Sequence, residues 1–359
     1  ASLKDSRGVA PLIELLTGEN EGMHDFAGER LRMYEGSKTL TDAVTVQDLM
    51  KMLSNKDGNV RAFALDTLKT LDDPQVAPAM ISILESEKSS DLRKRAADYL
   101  GDKKIAGAVD LLTKVLFNEK HDDKSPLPQS IVRALGQIGG ANAFQALIRV
   151  TTMSEFSVST VSEAINSLAA TKDMNAVAPL AQYLVGHASD PNPIPTSMQA
   201  TTAKALGDLG GPDAAKALTD GALVRIGGLE GKDGRVNPYV SALARIAPPY
   251  STDALYGILK EQGLLIFKDN SYAIRMHAMT SKETLTVAVA LANLGDPRAE
   301  EFLRGLMTLP ETRVPAEQAL KALQEKTGKA PVSPAPPTPA PGAAAAPSPA
   351  PAPSAPPKS

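Results

Sequence analysis

Apolar residues recur along most of the chain at helical spacing, in short blocks separated by Gly, Asp and Pro. Val76, Met80, Ile83 and Leu84 stand at i, i+4, i+7 and i+8, and Val177, Leu180, Ala181 and Leu184 at i, i+3, i+4 and i+7. Both spacings put one apolar stripe on an amphipathic helix. From about Asn59 the same unit returns: a helix rich in small and aliphatic residues, a short turn, and a second amphipathic helix. Taking the Leu near the end of each first helix as a marker gives Leu68, Leu100, Leu135, Leu168, Leu206, Leu243, Leu291 and Leu320, spaced by 32, 35, 33, 38, 37, 48 and 29 residues. One hairpin cannot cover the apolar faces of both its helices, whereas a stack of hairpins buries a continuous core, so a solenoid is expected. Ala62, Ala64, Ala96, Ala97, Ala134, Ala203 and Ala205 supply the small residues that close helix crossings need.

The turns punctuate the pattern. Asp73-Pro74 and Asp296-Pro297 place a side-chain acceptor before a Pro, which predicts a helix start immediately after it. Gly139-Gly140, Gly210-Gly211-Pro212 and Gly295 supply the permissive backbone that ends a first helix. Val9 to Leu16 and Asp25 to Tyr34 read as two further short helices outside the period, as an atypical capping unit would be.

Asn59-Val60-Arg61 with Ala64, Leu68 and Asp73-Pro74 resembles the pattern of HEAT repeats, as found in bacterial HEAT-like proteins. Ile131-Val132-Arg133-Ala134-Leu135-Gly136, Thr202-Ala203-Lys204-Ala205-Leu206-Gly207 and Val289-Ala290-Leu291 before Gly295-Asp296-Pro297-Arg298 repeat parts of it. The unit at Leu100 has a shortened turn, and that at Leu243 carries Pro248-Pro249 in place of Asp-Pro. The resemblance implies an all-α, right-handed α-solenoid of about seven HEAT-like helical hairpins. Its expected parts are capping helices over 1–45, the repeat array over 46–328 and a disordered Pro/Ala-rich spacer over 329–359. Of residues 330–359, 12 are Pro and 10 are Ala, a composition that buries no core and favours an extended form. At roughly 3.1 Å per residue such a segment reaches about 90 Å.

Composition narrows the chemistry. The 359 residues include no Cys and no Trp, which removes disulfides, thiolate metal ligands and cysteine nucleophiles. With 38 Lys+Arg against 41 Asp+Glu the net charge is −3, so no bulk attraction to polyanions is expected, and no nucleic-acid partner. No apolar run is long enough for a transmembrane segment. His121-Asp122-Asp123 is the densest potential ligand cluster, but three adjacent residues do not converge on one ion, and His24-Asp25, His187 and His277 are single donors. The hydroxylases of the HEAT family bind iron through His-Glu pairs, and no His-Glu dipeptide occurs here. Gly227-Gly228-Leu229-Glu230-Gly231-Lys232-Asp233 lacks the leading Gly and the hydroxyl residue of a phosphate loop. No catalytic, cofactor or metal residue is expected.

The 48-residue interval before Leu291 contains an insertion that is too apolar for a solvent loop. Tyr239, Tyr250, Tyr256, Phe267 and Tyr272, with Met276 and Met279, concentrate there the residue types enriched at protein interfaces. The alternative is an extra helix that folds back over the neighbouring repeat. A second candidate is the basic stretch Lys88 to Lys104, with Arg93, Lys94 and Arg95 at its centre, which reads either as a solvated helix face or as a docking patch for an acidic segment. The expected function is a non-enzymatic protein-binding scaffold or adaptor, with second helices lining a concave groove and a protein or peptide as partner. The alternative is a lyase-like accessory subunit acting on a cofactor-bearing protein. The Pro/Ala tail, the absence of Cys and the start at Ala1 point toward the bacterial periplasm or cell envelope, with tail-mediated association, and the cytoplasm is the alternative.

Overall fold

A computed structural model describes residues 6–34, 37, 40, 44–71, 73–118, 125–186, 195–227, 237–262 and 280–328. Among them are eighteen α-helices and no strand. Helices α1 (Val9–Thr17) and α2 (His24–Arg32) form a leading hairpin, and α3 (Val46–Met52) follows. The hairpins of the array are α4 (Gly58–Lys69) with α5 (Val76–Ser86), α6 (Ser90–Asp102) with α7 (Val109–Asn118), and α8 (Leu127–Ile138) with α9 (Ala141–Thr152). They continue as α10 (Val158–Ala170) with α11 (Val177–Gly186), α12 (Thr196–Leu209) with α13 (Gly211–Gly227), α14 (Asn237–Leu243) with α15 (Tyr250–Gln262), and α16 (Ser281–Asn293) with α17 (Ala299–Leu306). Helix α18 (Arg313–Thr327) closes the series. No helix among the described residues is long and apolar enough to cross a membrane.

Each marker Leu lies in a first helix, and all but Leu320 are wholly excluded from solvent. First helices stack on first helices from α4 through α18, second helices on second helices from α5 through α15, and one hydrophobic cluster runs from Val9 to Leu323. This is the α-solenoid that the periodicity predicts.

Two local devices set the hairpin geometry. Four residues after the marker Leu the backbone turns left-handed in five units: Lys104, Gly139, Lys172, Gly210 and Gly295 have φ between 51° and 80°. That residue frees the last carbonyls for capping: Gly139 N–H donates to Leu135 O and Gly210 N–H to Leu206 O, both at 2.9 Å. The turn at Leu100 keeps a positive φ with Lys104 in the glycine's place, but there Lys104 N–H donates to Gly101 O and Ile105 N–H to Leu100 O, each at 2.9 Å. At helix entries an Asp accepts from the N–H two residues on. Asp57 takes Asn59 N–H and Asp73 takes Gln75 N–H at 2.8 Å, while Asp173 takes Asn175 N–H and Asp296 takes Arg298 N–H at 2.9 Å. For the two Asp-Pro turns this corrects the expected helix start. The Asp closes an Asx turn first, so α5 begins at Val76 and α17 at Ala299, three residues after the Asp. Pro248-Pro249 fills the corresponding turn of the α14–α15 unit with a cis peptide bond.

The first helices meet backbone to backbone. A Cβ on Gly207 in α12 would lie 2.6 Å from Ala242 O in α14, and one on Gly101 in α6 would lie 2.7 Å from Ala134 Cα in α8.

The leading hairpin is fastened by buried polar groups as well as by apolar ones. Helix α2 packs on α4, and the buried His24 ring lies between Gly18 and Asp57. Its Nε2 donates to Gly18 O at 2.8 Å, since a carbonyl only accepts, while Nδ1 meets the Asp57 carboxylate. Asn59 Nδ2 then donates to Asp25 Oδ1 at 2.7 Å, so the start of α4 is tied twice to α2.

Gly207→Ala should lower the denaturant midpoint by the equivalent of about 1–3 kcal/mol, because the added methyl meets backbone that cannot swing aside. Gly107→Ala, whose Cβ meets nothing within 4 Å, should leave it unchanged. Equal midpoints for the two variants would show that α12 and α14 do not touch in this way.

Candidate partner-binding surface

The aromatic residues picked out by the sequence divide between core and surface. Tyr239 on α14 is only 2% exposed, and its ring packs where a side chain on Gly221 of α13 would stand, 2.8 Å from Cε1. It is therefore part of the core, because its register on α14 faces the neighbouring helix. Tyr250, at the first position of α15, is 46% exposed. Tyr256 is half-buried, with the Arg298 guanidinium 4.5 Å above its ring. Arg298 also pairs with Asp253 at 2.8 Å and Asp296 at 2.6 Å, so α15 and the entry to α17 hold one another through a single cation. Phe267, Tyr272, Met276 and Met279 lie outside the described residues.

The basic trio is engaged within the array. Arg93 Nε donates to Leu84 O at 2.8 Å, Lys94 pairs with Asp98 at 2.7 Å, and Arg95 pairs with Asp91 at 2.9 Å and with Asp66 on α4. Similar links join other neighbours, Arg133 to Glu163 at 3.1 Å and Arg245 Nε to Asp208 at 2.6 Å. Half-exposed pairs of this kind contribute roughly 0–1 kcal/mol each. Among the described residues no three His, Asp or Glu side chains converge as a metal site would require. The cluster at His121 lies outside them.

A site that the sequence reading missed lies beside the first full repeat. Between α3 and α5 runs an open groove of about 670 Å³ with Met50, Leu53, Ala79 and Ile83 along it. Arg61, from the first turn of α4, holds both sides. Its Nε and Nη2 donate to the two Glu87 oxygens at 2.8 and 3.2 Å, and its Nη1 donates to Asn55 O and Lys56 O, each at 2.9 Å. Arg61 was visible as half of the Val-Arg pair, but its partner Glu87 is 26 residues away, and no local pattern joins them. A second opening, about 460 Å³, lies at the α8–α9 turn beside Phe144, and a third, about 180 Å³, lies beside Phe156 and Tyr183. Burial pushes the Tyr183 phenol above its ordinary range.

The comparisons with known proteins agree with this architecture. The family model described as HEAT repeats matches residues 9–100 and again residues 77–160. Residues 9–160 therefore carry HEAT repeats. The first match begins at α1, so it takes in the leading hairpin as well as the array. No curated protein matches the sequence. Among solved structures, an engineered protein is similar at 22% identity, covering 88% of this chain and 89% of that one, with a TM-score of 0.46. The complex of CpcE and CpcF of phycocyanin lyase from a Nostoc species is similar at 20% identity, covering 70% of this chain and 97% of that one, with a TM-score of 0.38. Human deoxyhypusine hydroxylase is similar at 16% identity, covering 86% of this chain and 99% of that one, with a TM-score of 0.32. None of these likenesses assigns an activity to this chain.

The carboxylates at the repeat junctions carry a pH dependence. Burial opposes ionisation of Asp57, Glu87, Asp208 and Asp296, but hydrogen bonds and neighbouring cations outweigh it and hold all four below the usual carboxylate range. A lowered folded value means that their contribution is complete above the unfolded values of roughly 4 and is lost as pH falls through the folded ones. The thermal midpoint of the array should therefore hold steady from pH 7 to about pH 5 and fall steeply below pH 4. Glu87→Gln should flatten part of that acid limb. An acid limb identical to that of the parent would remove Glu87 from the set.

Proposed function

We propose that this HEAT-repeat chain is a non-enzymatic adaptor that binds a protein or peptide partner on the surface around α15 and the segment that follows it. The observation that carries this reading is the exposed Tyr250 at the start of α15, on the same helix as Tyr256, whose ring is clamped under Arg298. Aromatic side chains on a packed helix offer contact area at small entropic cost. The adjoining residues 263–279 are rich in aromatic and Met side chains, which supports the same surface. The stacked hairpins supply the stiff, extended frame on which such a surface is presented. Residues 330–359 fit a spacer that sets the array off from an envelope surface, and Lys94 and Arg95, already paired within the array, are auxiliary contacts at most.

The test is capture from native lysate and envelope fractions by the intact chain and by a variant in which residues 263–280 are replaced with a Gly/Ser linker, each checked for an unchanged helical circular dichroism signal. A partner retained only by the intact chain supports the reading, and equal retention moves the contact elsewhere on the array. Tyr250→Ala should then weaken the captured complex by roughly five- to tenfold, as expected for loss of an aromatic anchor worth about 1 kcal/mol or more.

A further inference from the structure

The groove between α3 and α5 has features that packing alone does not require. Its lining includes the half-exposed Met50 and Leu53 beside the more buried Ala79 and Ile83, an apolar strip along the groove. Hydroxyls stand beside the strip at Ser54, Ser82 and Ser86. Lys56 and Lys88 occupy its two rims, both exposed and both without an ion-pair partner among the described residues. Its single carboxylate, Glu87, is already neutralised by the two-pronged contact with Arg61 and accepts a further hydrogen bond from Ser89 N–H at 2.9 Å.

Arg61 turns these features into a fixed receptor. One guanidinium grips the carbonyls of Asn55 and Lys56 on the first rim and Glu87, next to Lys88, on the second. The backbones that carry the two lysines are thereby held by a half-buried charge-assisted network and not left to the swing of a loop. The groove thus combines an apolar strip, serine hydroxyls beside it and a net positive charge at its edges.

We propose that this groove is a docking site for an acidic segment of a partner protein, one that places Asp or Glu side chains against Lys56 and Lys88 and aliphatic side chains on the Met50–Ile83 strip. Charge complementarity selects that occupant. The Pro/Ala tail of this chain does not fit it, since residues 329–359 contain two Lys and no Asp or Glu. The groove lies in the first repeat, far along the sequence from Tyr250, so it is a site additional to the surface around α15. The inference rests on the adaptor reading only in supposing that the partner is a protein.

The experiment is fluorescence anisotropy of the full chain with a labelled synthetic peptide in which Asp and Glu alternate with Leu. Controls are the same peptide with Lys in place of each acid, and a short oligothymidylate. The acidic peptide is expected to bind, to weaken as salt is raised through the range where exposed charges are screened, and to lose at least tenfold in affinity with the Lys56→Glu, Lys88→Glu double variant. Ser82→Trp, which leaves both lysines in place and fills the groove, should abolish binding while the helical signal persists. Three results would each overturn the proposal: equal binding of the acidic and basic peptides, equal or tighter binding of the oligonucleotide, or indifference to both variants. Because the peptide is added directly, its failure alongside a partner still captured through residues 263–280 removes the groove site and leaves the adaptor reading standing.

Discussion

Everything in this molecule depends on how closely one first helix can approach the next. Where α6 meets α8 and α12 meets α14, glycine on one side faces the backbone of an alanine on the other, with no room for a single methyl group. Contact at that range fixes the rise and rotation from unit to unit, because two backbones in touch have only one stable separation. Second helices then take their places through the turns, and in five units the left-handed residue four positions after the marker Leu helps set the angle at which they fold back. Lys104 and Lys172 adopt that conformation without the freedom of glycine, which shows that the stack imposes the turn where the local residue does not favour it.

Polar links follow from this register. Arginines that leave one first helix find carboxylates on its neighbour because the stack brings them within reach, and each such pair absorbs a charge that would otherwise be free at the surface. Arg95 is absorbed in this way by Asp66, while Lys94 pairs along its own helix with Asp98 and Arg93 donates to Leu84 O. Lys56 and Lys88 are not, because the network that positions them ends on Arg61 and Glu87 and leaves their ammonium groups at the rim. The contrast separates cations that hold the array together from cations that remain available to a partner.

The same division applies to the aromatics. Tyr239 and Tyr250 are eleven residues apart and equal in chemical type, yet one fills the space over Gly221 and the other projects into solvent. The difference lies in which face of a helix meets its neighbour, and the choice is made only when the hairpins stack.

The sequence by itself determined the fold class, the hairpin period and the identity of the buried Leu in each unit, because helical spacing and turn chemistry are local and are written within a dozen or so consecutive residues. It also showed where glycine and Asp-Pro punctuate the repeat, though not that the Asp would close a turn before the helix begins. Tertiary structure alone decided that Tyr239 belongs to the core, that Arg95 is spent on Asp66 of the neighbouring first helix, and that Arg61 reaches Glu87 to build a groove. Those outcomes depend on contacts between residues tens of positions apart, and only the packing of one hairpin on the next brings such residues together.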